Sequence, residues 1–266
     1  MNFFDLTLQL EAVAILTIIS LASLRFKILD SKGVMASIVV GYLIIVFAGL
    51  SYFAILLAFF LVSAAVTRLR VRIVGESFVE KDWIRSWKNV LANGLAPTLA
   101  IILPTAFRGG STTMAIGYLG AVGTAFADTL ATEIGLLYGG RPRLITSFEK
   151  VEKGTPGAVS FHGYLGGLLA LAILSGLAPI IGLASPSTAL IIISSGIFGM
   201  TIDSVLGAGV QAKYRCQVCG KIVENGFHCG QPAGKISGIR WINTHVVNLI
   251  STSMGAVLAI IFLQIA

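Results

Sequence analysis

The chain has 266 residues, 56% of them hydrophobic and only 12% charged, with a mean hydropathy of +0.90. So few polar groups cannot clothe a soluble globule of this size, which excludes a water-soluble enzyme or binding module and predicts an all-α integral membrane protein in one polytopic domain, residues 1–266. The formal net charge of +7 falls in a few loops, and with no soluble module to carry a basic surface, nucleic acid is not an expected partner.

Eight stretches are long and apolar enough for helical spans: 7–24, 33–49, 51–67, 87–107, 113–138, 158–182, 187–209 and 245–265. The opening MNFFDLTLQLEAVAIL lacks a basic n-region and holds Glu11 within its apolar run, so it reads as a retained first span. The absence of an Arg/Ser-rich transit extension points to a prokaryotic or a mature organellar chain. The second and third spans nearly fuse at Leu50-Ser51, so seven is the alternative count. With eight, the loops at 25–32, 68–88, 139–157 and 210–244 lie on one side with 3, 6, 4 and 5 Lys/Arg, 18 of the 19 in the chain, and only Arg108 falls opposite. By the positive-inside rule those loops are cytoplasmic and both termini are outside. Such a face attracts anionic headgroups and nucleotide phosphates.

The fourth span opens on WKNVLANG, where Asn93 sits near a cytoplasmic helix end. The fifth reads GTAFADTLATEIG. A carboxylate at mid-membrane costs about 2.5–3.5 kcal/mol on insertion scales, so Asp128 and Glu133 mark a cation, a partner or a water-filled cavity, or else a polar clamp between helices. Thr124, Asp128 and Thr132 share a helical face, whereas Glu133 lies about 140° from Asp128. Either the helix is irregular near its glycines, or the two acids differ in task, one binding metal and the other orienting an arginine of the loop that follows.

That loop, GGRPRLITSFEKVEKGTPG, sets Arg141, Arg143, Lys150 and Lys153 among Thr146, Gly154, Thr155 and Gly157. Guanidinium forks, hydroxyls and close backbone amides are the groups that cradle phosphates, although the Walker pattern is absent. A positive-inside anchor is the plainer reading for the lysines. Asp203-Ser204 in the seventh span repeats the Asp128-Thr129 pair, each followed by glycines and a basic loop. Carboxylates at one face suit Mg²⁺ held with phosphate oxygens, and Asp128 with Asp203 are its expected ligands. A proton or sodium relay uses the same residue types. Gln211, about 80° round from Asp203, lies within reach of the same cleft. Asn243 and Asn248 open the last span, where inter-helix hydrogen bonding is the default role.

All three cysteines fall in one stretch, Cys216-x2-Cys219 and then His228-Cys229. Four soft ligands fit a tetrahedral structural Zn²⁺ site, with unliganded thiols as the alternative.

The words ADTLATEIG, RPRLITSFEKVEKGTPGAVS, IDSVLGAGVQ and the Asn-bearing start of the last span resemble a family of polytopic membrane proteins that includes plant phytyl-phosphate kinase of the tocopherol pathway and a vertebrate transmembrane relative. More distantly, the order of motifs is similar to CTP-dependent polyprenol kinases. The resemblance implies site roles for Asp128, Glu133, Arg143, Thr146, Gly154, Thr155, Asp203, Ser204 and Asn248. The expected function is a membrane kinase converting an isoprenoid lipid monophosphate, of phytyl or geranylgeranyl type, to the diphosphate with CTP or ATP and Mg²⁺. A polyprenol kinase, a CDP-lipid-forming cytidylyltransferase and an ion-coupled transporter are the alternatives.

Overall fold

The computed structural model describes residues 6–75, 83–106 and 110–265, apart from the side chains of 105 and 106. Arg108 and residues 76–82 of the second basic loop lie outside the described residues. Eight α-helices make up the described chain: α1 (Leu6–Arg25), α2 (Ser31–Ala48), α3 (Leu50–Val74), α4 (Trp87–Ala106), α5 (Ser111–Tyr138), α6 (Phe161–Ile180), α7 (Ala189–Gly209) and α8 (Thr244–Ile265). Seven are long and apolar enough to cross a membrane, α7 with its preceding 3-10 turn among them. The exception is α4, whose hydropathy is lowered by Lys88, Asn89, Asn93 and two internal prolines, Pro97 and Pro104. It nonetheless packs among α2, α5 and α8. The near-fusion at Leu50 resolves as a sharp turn: Gly49 adopts φ +94° and its amide caps the α2 carbonyls of Ile44 and Ile45.

Helix α5 is the axis of the bundle, packing on α3, α4, α6, α7 and α8. Its glycines explain how so many neighbours fit. A Cβ on Gly120 would lie 2.5 Å from both the Ala259 Cβ and the Gly255 carbonyl oxygen of α8, so only a hydrogen there lets the two backbones meet. Helix α1 is the opposite case, peripheral against α2, with Leu6, Leu10, Val13, Ile18 and Leu21 exposed as a lipid-facing surface needs.

The basic inter-helix loops gather at one end. The Arg85 amide donates to the Ile28 carbonyl (3.0 Å) and the Asp30 amide to the Arg85 carbonyl (3.1 Å), joining the first two basic loops. Lys153 Nζ donates to the Leu136 and Leu137 carbonyls at the C-terminus of α5 (2.9 and 3.2 Å), and Lys213 Nζ donates to Ala208 at the C-terminus of α7. Cations at those carbonyls complement the helix dipoles. The all-α expectation holds for the bundle, while two of these loops carry short strands. β1 (Arg143–Leu144) pairs with β2 (Ala158–Val159); β3 (Lys213–Arg215) lies between β4 (Ile222–Val223) and β7 (Gly234–Ser237); β5 (Phe227–His228) forms a hairpin with β6 (Gln231–Pro232).

Candidate functional site

Helix α5 runs unbroken from Ser111 to Tyr138, so its two acids meet different neighbours rather than bending toward one ion. Glu133 is buried and forms an ion pair with Arg70 of α3 through Nε, and Thr67 Oγ1 donates to its other oxygen at 2.8 Å. The arginine expected from the loop after α5 is therefore replaced by one from α3, since the Glu133 face of α5 is the α3 face. The opposite face behaves as its spacing predicts. Thr124 wedges between α7 and α8, so close that a Cβ on Gly199 or Gly255 would fall 2.2 or 2.0 Å from its Oγ1. One turn along that face, Asp128 meets Asp203 of α7 within electrostatic reach.

Asp203 is held by α8: Ser251 Oγ donates to its Oδ2 at 2.8 Å. The neighbouring hydroxyls turn inward along their own helices, Thr129 to the Ala125 carbonyl (2.7 Å) and Ser204 to the Met200 carbonyl (3.3 Å). Each proton is thereby engaged, which leaves these two cavity-lining hydroxyls as acceptors, the polarity that suits a cation. Gln211 supplies the opposite polarity. It is 3% exposed, and its Nε2 has no hydrogen-bond partner, a donor whose burial is costly unless a ligand accepts from it.

These groups line one cavity of about 320 Å³ at the loop end of the bundle. Asp128, Thr129, Thr132 and Glu133 come from α5, Asp203 and Ser204 from α7, Asn248 from α8 and Asn93 from α4. The turn Lys153–Gly157 and Gln211 close it. Gly157 makes that closure possible: at φ +78° it crosses the end of α7 so tightly that a Cβ would lie 2.2 Å from the Ala208 nitrogen. Its close approach is thus to a helix end as well as to the cavity. A second, mostly apolar cavity of about 90 Å³ lies among α1, α2, α3 and α4, lined by residues such as Leu16, Val40, Phe53, Leu57 and Phe60. Arg85, Asn89 and Asn93 line both cavities. Burial draws the Arg85 guanidinium below its ordinary value, and the charge of Glu133 opposes that shift.

Five expected phosphate or nucleotide ligands lie outside the cavity lining. Arg141, Arg143, Thr146 and Lys150 are exposed on the β1–β2 hairpin side of the loop, and Arg143 Nη1 donates to the Phe148 carbonyl across its own turn (2.7 Å). Strand pairing turns that stretch outward while the Gly154–Gly157 turn faces in. Asn243 is exposed and caps α8, its Oδ1 accepting from the His245 and Val246 amides (3.0 and 3.2 Å). Conversely, sequence reasoning missed Arg85, Asn89, Glu224 and Ser251. The Asn89/Asn93 spacing of four, one helical face, was a readable signal for Asn89; nothing local marks Glu224, which reaches the cavity from the loop after β4.

Between α7 and α8, Cys216, Cys219, His228 and Cys229 come together with ligand atoms all within 4.8 Å of one another.

A family description, "Integral membrane protein DUF92", matches residues 14–256. An uncharacterized membrane protein of Methanocaldococcus jannaschii is 32% identical over 94% of this chain and 92% of its own length. Protein PGR of Arabidopsis thaliana is 32% identical over 90% of this chain and 91% of its own. Protein VTE6, chloroplastic, of the same plant is 27% identical over 89% of this chain and 66% of its own length. No solved structure gives a significant match.

Proposed function

This chain belongs to the DUF92 family of integral membrane proteins, and from that membership and the cavity we propose that it is a membrane-embedded kinase, phosphorylating an isoprenoid lipid monophosphate of phytyl or geranylgeranyl type to the diphosphate with CTP or ATP. The observation that carries the reading is the junction of the two cavities. A polar chamber bearing two facing aspartates and an unpartnered amide donor shares Arg85, Asn89 and Asn93 with an apolar chamber among α1 to α4. An amphiphile with a phosphate head and a hydrocarbon tail has the matching polarity: tail among Leu16, Val40 and Phe53, head beside Arg85.

The donor set fits Mg²⁺, a hard cation that takes one or two carboxylates with phosphate oxygens and water. Asp128 and Asp203 would hold it, with Thr129 and Ser204 oxygens nearby; when bound, such an ion neutralises charge on the transferring phosphoryl group. The remaining work is positioning. Arg85 would set the acceptor phosphate, and Gln211 Nε2 would donate to a phosphate oxygen. The Gly154–Gly157 turn would offer backbone amides to the nucleotide. An acceptor oxygen then attacks the γ-phosphorus in line, the bond from that phosphorus to the β,γ-bridging oxygen breaks, and the nucleoside diphosphate leaves with the electron pair. A phosphate oxygen is already nucleophilic at neutral pH, so no dedicated base is required.

Under the positive-inside rule the basic loops at this end support a cytoplasmic site, with both termini opposite. The deciding experiment incubates purified protein with phytyl or geranylgeranyl monophosphate and either CTP or ATP, and follows lipids by mass spectrometry. Lipid diphosphate with release of nucleoside diphosphate is expected. Pyrophosphate release would assign a cytidylyltransferase instead, and phosphorylation of the free alcohol a polyprenol kinase. Substrate flux into proteoliposomes without nucleotide turnover would assign a transporter.

A further inference from the structure

We infer that Cys216, Cys219, His228 and Cys229 form a structural zinc site that holds the Glu224 loop against the polar cavity. The metal site is independent of which reaction the cavity performs. Two hairpin turns deliver the ligands. In the first, between β3 and β4, the Cys216 amide donates to the Lys221 carbonyl (3.0 Å) and the Gly220 amide to the Cys216 carbonyl (3.0 Å), closing the Cys-x2-Cys turn. The Val218 and Cys219 amides point at Cys216 Sγ (3.4 and 3.5 Å), an arrangement that favours a thiolate and leaves its other lone pairs for a metal.

The second turn explains why two ligands are adjacent in sequence. His228 pairs with Gln231 across the β5–β6 hairpin, so Cys229-Gly230 is a two-residue connection, with φ +51° and +75°. Two positive φ values give a type I′ turn, which suits Asn-Gly or Gly-Gly. A cysteine there occupies a backbone region that side chains rarely adopt, a feature that clusters at ligand clamps. The twist brings Cys229 Sγ round to within 3.2 Å of His228 Nδ1, which is also 3.5 Å from Cys219 Sγ. One ring proton cannot serve both sulfurs at once, whereas one cation can bind the ring nitrogen and every thiolate. Zn–S bonds of about 2.3 Å set tetrahedral sulfur separations of roughly 3.8 Å. The spread of 4.8 Å or less among the four ligand atoms is closed by small side-chain movements.

The choice of zinc follows from three thiolates, one imidazole and no open position, the set of a closed structural site. Its consequence lies between the two turns. Glu224 sits five residues after Cys219 and four before His228, and it lines the cavity within electrostatic reach of both Asp128 and Asp203. Clamping both flanks fixes where that carboxylate stands.

Elemental analysis of the full-length protein, purified in detergent without chelator, is expected to show about one zinc per chain, and less than about half an equivalent in folded protein would overturn the site. Stoichiometric iron in place of zinc would do the same. Cobalt-substituted protein should show intense thiolate-to-metal charge transfer with tetrahedral d–d bands, and octahedral bands would contradict the ligand set. Cys219→Ser should lose zinc while Glu224→Gln retains it; retention in both overturns the assignment, and the cobalt spectrum of the wild type decides should Cys219→Ser not fold. Hydrogen exchange tests the positioning role. Chelation should release protection in 213–237 while α5 and α7 keep theirs, and unchanged protection there would refute it.

Discussion

Helices α5 and α7 present similar short texts, Asp-Thr and Asp-Ser, to the same cavity, and carbonyls at the end of each accept from a lysine of the loop that follows, Lys153 and Lys213. Their surroundings differ. α5 packs against five other helices and carries a second acid, Glu133, locked to Arg70 of α3. α7 has one side toward lipid, with Leu190, Phe198 and Val205 exposed, and its aspartate is steadied from α8 by Ser251. The central helix must hold its position against five neighbours and uses an ion pair, whereas the peripheral one needs only a hydroxyl. Equal chemistry at the cavity thus rests on unequal structural support.

The largest expected effect is shared by both helices. Asp128→Asn and Asp203→Asn should each lower turnover about a thousandfold, roughly 4 kcal/mol of barrier, with little change in thermal unfolding. Both are read by lipid diphosphate formation; a tenfold loss in one beside a thousandfold loss in the other would break the symmetry at the cavity. Next comes the asymmetry in support. Arg70→Ala strands Glu133 in a buried site and should cost about 3 kcal/mol of stability, measured as a fall in the unfolding midpoint, while Ser251→Ala should cost about 1 kcal/mol. Equal losses from the two would remove the contrast between the helices. The smallest effect is common again: Lys153→Met and Lys213→Met should each cost about 0.3–1 kcal/mol through lost capping, a shift in unfolding midpoint that high salt diminishes.

Much of this was legible in the sequence. Hydropathy located eight helices, α4 among them although Asn93 and two prolines weaken its signal, and the alternation of basic loops favoured eight over a fusion of the second and third spans. Periodicity placed Thr124, Asp128 and Thr132 on one face, and Gln211 near Asp203. Cysteine spacing singled out the four residues that cluster. The loop after α5 was half-read: Gly154, Thr155 and Gly157 face the cavity, but Arg141, Arg143, Thr146 and Lys150 do not. Residue types that suit phosphate mark a loop, yet which of them turn inward depends on the two-residue pairing of β1 with β2.

The sequence alone determined the number of helices, the end of the bundle where positive charge collects and the spans that carry acids, because hydropathy and charge are properties of each segment by itself. The tertiary structure decided who meets whom. Arg70 rather than a loop arginine neutralises Glu133, Ser251 steadies Asp203, and Arg85 with Glu224 enters the cavity from segments that carry no local mark. Those outcomes depend on the rotation of each helix about its axis and on how glycines set the approach of its neighbours, quantities that emerge only when all eight helices pack together.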